Sequence, residues 1–324
     1  MKWISLFLIT TIFLGCKNPE QKQTMEHKIV IAHRGASGYL PEHTMEAKAM
    51  AYAMNPDFIE QDLVLSKDDV PIVIHDIYLD DVTDVATKFP DKKREDNRFY
   101  VIDFTFEELQ TLQVTERFNQ ETGEQFYKNR FPKNKGNFKL HSFQQEIELI
   151  QGLNASTGKN ISIYPEIKEP AFHQQEGKKL TEIVLKILAD YGYNTKKDNC
   201  ILQCFDAKEL ERIRTELKSD LFLVQLIDFP VEKKDLTRCA SYADGIGPWY
   251  KQIVTKKDDK WVFTSLVSDA HELGLKVHPY TFRADQLDEF SSFDEMMDVL
   301  FFEVNIDGAF TDFPDKMVNF LTKN

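Results

Sequence analysis

The alternation of short apolar runs with helix-patterned stretches restricts this chain more than any other feature. Runs suited to buried strands lie at Lys28–Ala32, Asp57–Leu65, Ile161–Lys168, Cys200–Phe205, Leu221–Ile227, Ala243–Gly247, Lys276–Thr281 and Gly308–Thr311. Between them, apolar residues recur at helical spacing over Met45–Met54 (capped by Thr44), Leu180–Tyr191, Ala207–Leu217, Ser265–Leu273 and Asp294–Phe302. Strands alternating with helices imply a parallel sheet, and eight such units suggest a closed (β/α)8 TIM barrel. A doubly wound sheet wants a glycine-rich phosphate loop after its first strand, and His33-Arg34-Gly35 is not one. The 324 residues, 42% of them hydrophobic, are ample for one large core or two domains.

One stretch breaks the rhythm. Residues from about 77 to 140 are rich in charge and aromatics, and their one convincing helix is expected over Phe106–Arg117, with Thr105 and Glu108 as a capping box. A loop-rich insertion this long is usually functional. It is expected to form a small cap beside the site, the alternative being a surface excursion. A second capping box, Ser142 with Gln145, then opens a helix that stops near Gly152–Gly158.

Just before the insertion, Asp57–Asp76 reads as two strands joined at the polar Ser66–Asp69 turn. Glu60 and Asp62 are two residues apart and share a face with Phe58 and Val64, so both carboxylates sit among core residues. Like charges on a buried face need a counter-charge, and a divalent cation is the simplest. An antiparallel hairpin brings His75 back beside Gln61. In a barrel the chemistry sits at the C-terminal ends of the strands. His33, Arg34, Glu60, Asp62, Glu166 and Lys168 all occupy such ends. Glu60, Asp62 and Glu166 are hard oxygen donors with no cysteine among them, a set that suits Ca²⁺ or Mg²⁺ better than Zn²⁺. Arg34 and Lys168 suit an anionic group such as phosphate. His33 and His75 can form a proton-transfer pair. His278, on a barrel strand, is expected to line the mouth. His43 is ambiguous, and His27, His141, His173 and His271 are expected at the surface.

Formal net charge is −13, which argues against a nucleic-acid partner. The apolar run Trp3–Leu14 after Lys2 is too short to span a bilayer and has signal-peptide form. Gly15-Cys16 at its end resembles a bacterial lipobox, which implies residues 1–16 as a lipoprotein-type signal and a membrane anchor on Cys16. An ordinary signal or an uncleaved anchor is the alternative. Residues 17–27 read as a tether and 28–324 as the barrel domain. The expected location is the cell envelope, periplasmic or membrane-anchored. Cys200, Cys204 and Cys239 are too few for a disulfide scaffold.

At these residues the chain resembles a known family. His33-Arg34-Gly35-Ala36, Pro41-Glu42-His43-Thr44, Glu60-Gln61-Asp62, His75-Asp76 and Pro165-Glu166-Ile167-Lys168 look like the glycerophosphodiester phosphodiesterases. Tyr242–Pro248, His278–Arg283 and Asp307–Pro314 look like the longer, exported bacterial form. The resemblance implies a TIM barrel with an insertion after the His75 motif. It also implies one divalent metal, usually Ca²⁺, and hydrolysis of glycerophosphodiesters to sn-glycerol 3-phosphate and an alcohol. It suggests Glu60, Asp62 and Glu166 as ligands, His33 and His75 as acid and base, and Arg34 and Lys168 as phosphate contacts. Glu42 matches the motif without a clear role. Trp249 stands where an acidic or polar residue is expected and bears on the pocket edge. Attack on phosphorus by a neighbouring glycerol hydroxyl and attack by water both remain open, as do headgroup and oligomeric state.

Two further readings compete. A phospholipase of the same barrel type needs an exposed apolar rim, which the insertion's aromatics could supply or could instead bury as a core of their own. A surface lipoprotein that uses the barrel only for binding has no need of three carboxylates, two cations and two histidines together.

Overall fold

The computed structural model describes residues 27–324; the expected signal, Cys16 anchor and nearly all of the tether lie outside the described residues. Eight parallel strands form the barrel: β1 (Ile29–Ala32), β2 (Phe58–Leu65), β3 (Ser162–Ile167), β4 (Ile201–Cys204), β5 (Phe222–Ile227), β6 (Gly245–Pro248), β7 (Lys276–Val277) and β8 (Gly308–Thr311). They are hydrogen-bonded in the order β7-β6-β5-β4-β3-β2-β1-β8. The seam is joined beyond the short β7, where Phe310 N–H donates to Pro279 O at 3.0 Å and Phe282 N–H to Phe310 O at 2.8 Å. The TIM-barrel expectation therefore holds.

Inside the ring, Ile31, Tyr164, Ile201, Val224 and Phe310 pack as a plug below the mouth, so the barrel is a filled core and not a pore. A far larger apolar layer fills the space between strands and helices. The three cysteines of the described residues are free and buried.

Helix Met45–Ala53 starts where the Thr44 side chain accepts from Ala47 N–H, and helix Phe143–Thr157 carries the reciprocal Ser142–Gln145 capping box. Both lie against β2, and a buried ionic cluster joins them. Lys48, fully buried, lies 3.1 Å from Glu146 and donates to the backbone carbonyl of Glu60. Glu146 also accepts from His141 at 2.8 Å and from Gln61 at 2.9 Å. Gln61 thus faces the helices while its neighbours Glu60 and Asp62 face the mouth.

The hairpin after β2 forms as expected, with Leu63 opposite Val73 and Val64 opposite Ile72. Val64, Ile72 and Ile74 then seed a second apolar core containing Leu79, Phe99, Phe104 and Phe138. The segment after His75 is therefore a cap with its own core.

Several expectations need correction. The helix from Phe106 ends at Thr111, not Arg117, because Leu112 turns extended and Val114 bridges both Thr83 and Phe138. The helix near Asp294 runs Phe293–Asp298 and widens into a π turn over Val299–Glu303. A hairpin of Val254–Lys257 and Lys260–Phe263 was not anticipated; it turns on Asp258 and Asp259, both at positive φ. His141 and His173 are buried rather than at the surface. His141 has Glu146, and His173 accepts from Leu65 N–H at 3.1 Å while donating to Glu169 O at 2.9 Å.

Removing one partner of a buried ion pair leaves the other charge stranded. Lys48→Met should therefore cost about 3–5 kcal/mol of unfolding free energy. The double variant Lys48→Met/Glu146→Gln, whose amide still reaches His141 and Gln61, should regain most of it. Urea denaturation checks this, and equal losses in the single and double variants would contradict the coupling.

Candidate active site

Strand register assembles the mouth. Asp62 lies opposite Glu166, and Glu166 opposite Gln203, so residues more than a hundred positions apart stand at one level on β2, β3 and β4. His33 and Arg34 follow the end of β1, and His75 follows the hairpin. With Glu60 they line a cavity of about 210 Å³ whose far wall is Phe205, Trp249 and Tyr280. A second cavity of about 260 Å³ adjoins it under the cap and shares His33, Arg34 and His75 while adding Glu42, Phe126 and Tyr127. His278 lines neither; it is buried among the barrel plug with Nδ1 3.0 Å from the Tyr164 hydroxyl.

The turn after β1 is tightly built. Arg34 and His43 both have φ of 57° and Gly35 has 86°, in the left-handed region. A Cβ on Gly35 would stand 2.9 Å from the backbone of Ala47, so only glycine fits. The turn aims Arg34 N–H at Glu60 Oε2, 2.5 Å away. Strained backbone of this kind persists where the surroundings over-determine it.

Glu60 and Asp62 are 2% and 1% exposed. Burial, with Asp62 next to it, pushes Glu60 well above the ordinary carboxylate range. Burial likewise pushes Glu166 up to about 8, against the pull of Lys168 2.9 Å away. Asp62 stays well below its usual range despite burial, because Lys168, His75 and His43 outweigh it. Its Oδ2 accepts from His43 Nε2 at 2.7 Å. Its Oδ1 is buried without a hydrogen-bond partner, the Lys168 ammonium standing off at 3.8 Å. An orphaned carboxylate oxygen between two further acids fits a hard divalent cation. Ligand atoms of His43, Glu60 and Asp62 all lie within 4.8 Å of one another. Glu166 lines the same cavity. His43, which sequence reasoning left undecided, thus enters the cluster through Asp62.

Each expected acid–base histidine has a carboxylate on Nδ1. His33 donates to Asp312 Oδ1 at 2.6 Å and His75 to Asp76 Oδ1 at 2.7 Å. That leaves each Nε2 for the cavity. Burial and then Arg34 lower His33 to about 4, and burial, Arg34 and Lys168 lower His75 to about 4. Both rings are neutral at pH 7 in the free protein. Asp76 and Asp312 were present in the motifs, but pairing of that kind is invisible to spacing; Asp312 is 279 residues from its partner. Arg34 gives Nη1 to both oxygens of Glu42 at 3.0–3.1 Å, so Glu42 steadies a cation of the mouth.

Such a cavity holds adjacent acids for a metal, cations for an anion and two neutral imidazoles. The comparisons with known proteins point the same way. The model of the Glycerophosphoryl diester phosphodiesterase family matches residues 33–316. A curated Haemophilus influenzae protein, "Glycerophosphodiester phosphodiesterase", is 45% identical across 99% of this chain and 98% of its own length. A Treponema pallidum protein of the same name is 37% identical across 91% of this chain and 92% of its own. Among solved structures, an Oleispira antarctica phosphodiesterase in complex with the product sn-glycerol-3-phosphate superposes with a TM-score of 0.64 at 18% identity, over 91% of this chain and 96% of that one.

Burial favours the protonated form of Glu60 and holds Glu166 at about 8, so a divalent ion bound at these acids would displace the Glu166 proton. Its affinity should therefore weaken by about tenfold per pH unit below pH 8 for each proton displaced. Calorimetric Ca²⁺ titrations between pH 6 and 9, in buffers of different ionisation enthalpy, read both affinity and proton release. A pH-independent affinity would take Glu166 out of the binding set.

Proposed function

The chain belongs to the glycerophosphoryl diester phosphodiesterase family, and from that premise we propose that it hydrolyses glycerophosphodiesters to sn-glycerol 3-phosphate and an alcohol in a metal-dependent reaction. The observation that carries this reading is the single cavity into which His33, His75, Arg34 and the acids Glu60, Asp62 and Glu166 all open. Glu60, Asp62 and Glu166 would hold the ion, Ca²⁺ before Mg²⁺, with His43 behind Asp62. Once bound, a divalent cation offsets the negative charge that opposes attack on a phosphodiester.

The remaining work falls to side chains. Arg34 lines the cavity, while Lys168, 2.9 Å from Glu166, lines an adjoining one that shares His75 and Glu166. In this proposal both meet the phosphate oxygens, strengthening their hold as charge redistributes in the transition state. One histidine accepts through Nε2 the proton of the nucleophile, water or the neighbouring glycerol hydroxyl, and the other delivers a proton to the departing alcohol. After hydroxyl attack, water then opens the cyclic phosphate to glycerol 3-phosphate. Both rest near 4 beside Arg34. An incoming phosphodiester anion counters that cation, raising the ring that must carry a proton. Asp76 and Asp312 keep each ring oriented throughout.

A second reading, cleavage of intact phospholipid, draws on three exposed aromatics bordering the cavities: Phe126 at 56%, Trp249 at 41% and Phe205 at 38%. The small volume of the main cavity favours a compact diester, and most of the insertion's aromatics are spent on its own core. Export and a lipid anchor on Cys16 are part of the proposal, and their support is the leader sequence.

Release of glycerol 3-phosphate from glycerophosphocholine should vanish with EDTA and return with Ca²⁺ or Mg²⁺. Activity indifferent to EDTA would refute the metal role. Phosphatidylcholine vesicles, tested in parallel, should be turned over far more slowly; comparable rates would favour the lipid reading. His33→Ala and His75→Ala should each lower kcat by about 10²–10⁴ with an unchanged melting temperature, and near-normal turnover would remove that residue from the reaction.

A further inference from the structure

Both histidine–carboxylate pairs end on an arginine of the insertion. Arg117 Nη1 donates to Asp76 Oδ2 at 2.6 Å, while Asp76 Oδ1 takes His75 Nδ1. Arg130 Nη2 donates to Asp312 Oδ2 at 2.7 Å, while Asp312 Oδ1 takes His33 Nδ1. In each chain one carboxylate oxygen serves the ring and the other serves the guanidinium. A carboxylate gripped at one oxygen can still rotate about its bond to Cβ. Gripped at both, it holds one plane, and the ring with it.

We infer that Arg117 and Arg130 are positioning residues, through which the insertion completes the active site by fixing the orientation of His75 and His33. The inference rests on those histidines being the proton-transfer pair.

Three features of the geometry support this role over simple docking of the cap. Among the described residues, the second oxygen of Asp76 is met by Arg117 of the insertion and by no barrel cation. Arg117 also reaches across to Glu42 at 2.6 Å, and Glu42 in turn holds Arg34, so one insertion side chain is tied to both a histidine and a cation of the mouth. Another insertion arginine, Arg94, docks the cap through Glu176 at 2.7 Å and also meets Asp103 of the insertion itself at 2.7 Å; neither carboxylate is paired with His33 or His75.

The two chains are unequal. Asp312 Oδ2 is shared between Arg130 and the barrel's own Arg283, at 2.7 and 2.8 Å. Losing Arg130 leaves Asp312 a second anchor, whereas losing Arg117 leaves Asp76 with none among the described residues. Arg117→Ala should therefore lower kcat on glycerophosphocholine by about 10²-fold and Arg130→Ala by roughly 10-fold, on the scale expected when a reacting group loses its alignment.

The decisive measurement is a double-mutant cycle in the metal-loaded, full-length protein. If Arg117 acts through Asp76, then Arg117→Ala/Asp76→Asn should be no slower than Asp76→Asn alone, and millimolar guanidinium should restore part of the Arg117→Ala rate. Arg94→Ala, which removes only a docking contact, should keep its kcat. Additive losses without rescue, or an Arg94→Ala loss equal to that of Arg117→Ala, would overturn the inference in favour of a merely structural role. Should Arg117→Ala fail to fold, Arg117→Lys keeps the charge but cannot bridge Asp76 and Glu42 together, and carries the same expectation. Normal turnover in Arg117→Ala with an inactive His75→Ala would sink this inference alone, whereas an active His75→Ala would sink the reading of the site as well.

Discussion

Three buried carboxylates facing one small cavity repel one another, and much of the surrounding structure answers that repulsion. Glu60, Asp62 and Glu166 are held close by strand register, which leaves them no freedom to move apart. Lys168 and Arg34 stand beside them, His43 donates to Asp62, and Arg34 N–H caps Glu60. Burial still leaves Glu60 and Glu166 with raised proton affinity and Asp62 Oδ1 without a partner. A buried cluster that is only partly compensated is costly as a stability device. It makes sense as a site whose last counter-charge arrives with a ligand.

The same economy shapes what lies behind β2. Alternation along the strand sends Glu60 and Asp62 to the mouth and Gln61 to the helices. Gln61 then meets Glu146, which is paired with Lys48 and His141. Lys48 in turn donates to the carbonyl of Glu60. One strand thereby separates two polar clusters, a site on its inner face and a structural ion pair on its outer face. The insertion adds a third layer, since its arginines meet the carboxylates that orient His33 and His75.

Local signals in the chain were reliable where the cause was local. The Thr44 and Ser142 caps, the Asp57–Asp76 hairpin and the eightfold alternation all depend on neighbours within a few residues, and all three appear in the structure. Errors arose where tertiary contacts overrode local pattern. Helical spacing past Thr111 lost to bridges from Val114 to Thr83 and Phe138. His141 and His173 read as surface residues because polar side chains without apolar periodicity usually are. His141 is buried where it meets Glu146, itself tied to Lys48 and Gln61, and His173 where it accepts from Leu65 N–H 108 positions away.

Composition and spacing alone determined that strands alternate with helices, that Glu60 and Asp62 share a face, and that charged residues gather at strand ends, because those properties repeat with the backbone's own periods. Only the tertiary structure decided which partners those residues meet. Asp312 finds His33 across 279 positions, Arg130 finds Asp312 across 182, and Arg117 joins Glu42 across 75. Contacts at such separations follow from barrel closure and from where the insertion folds back. Hydrogen bonds and ion pairs are selected there by distance and burial, and neither quantity is written in any short stretch of chain.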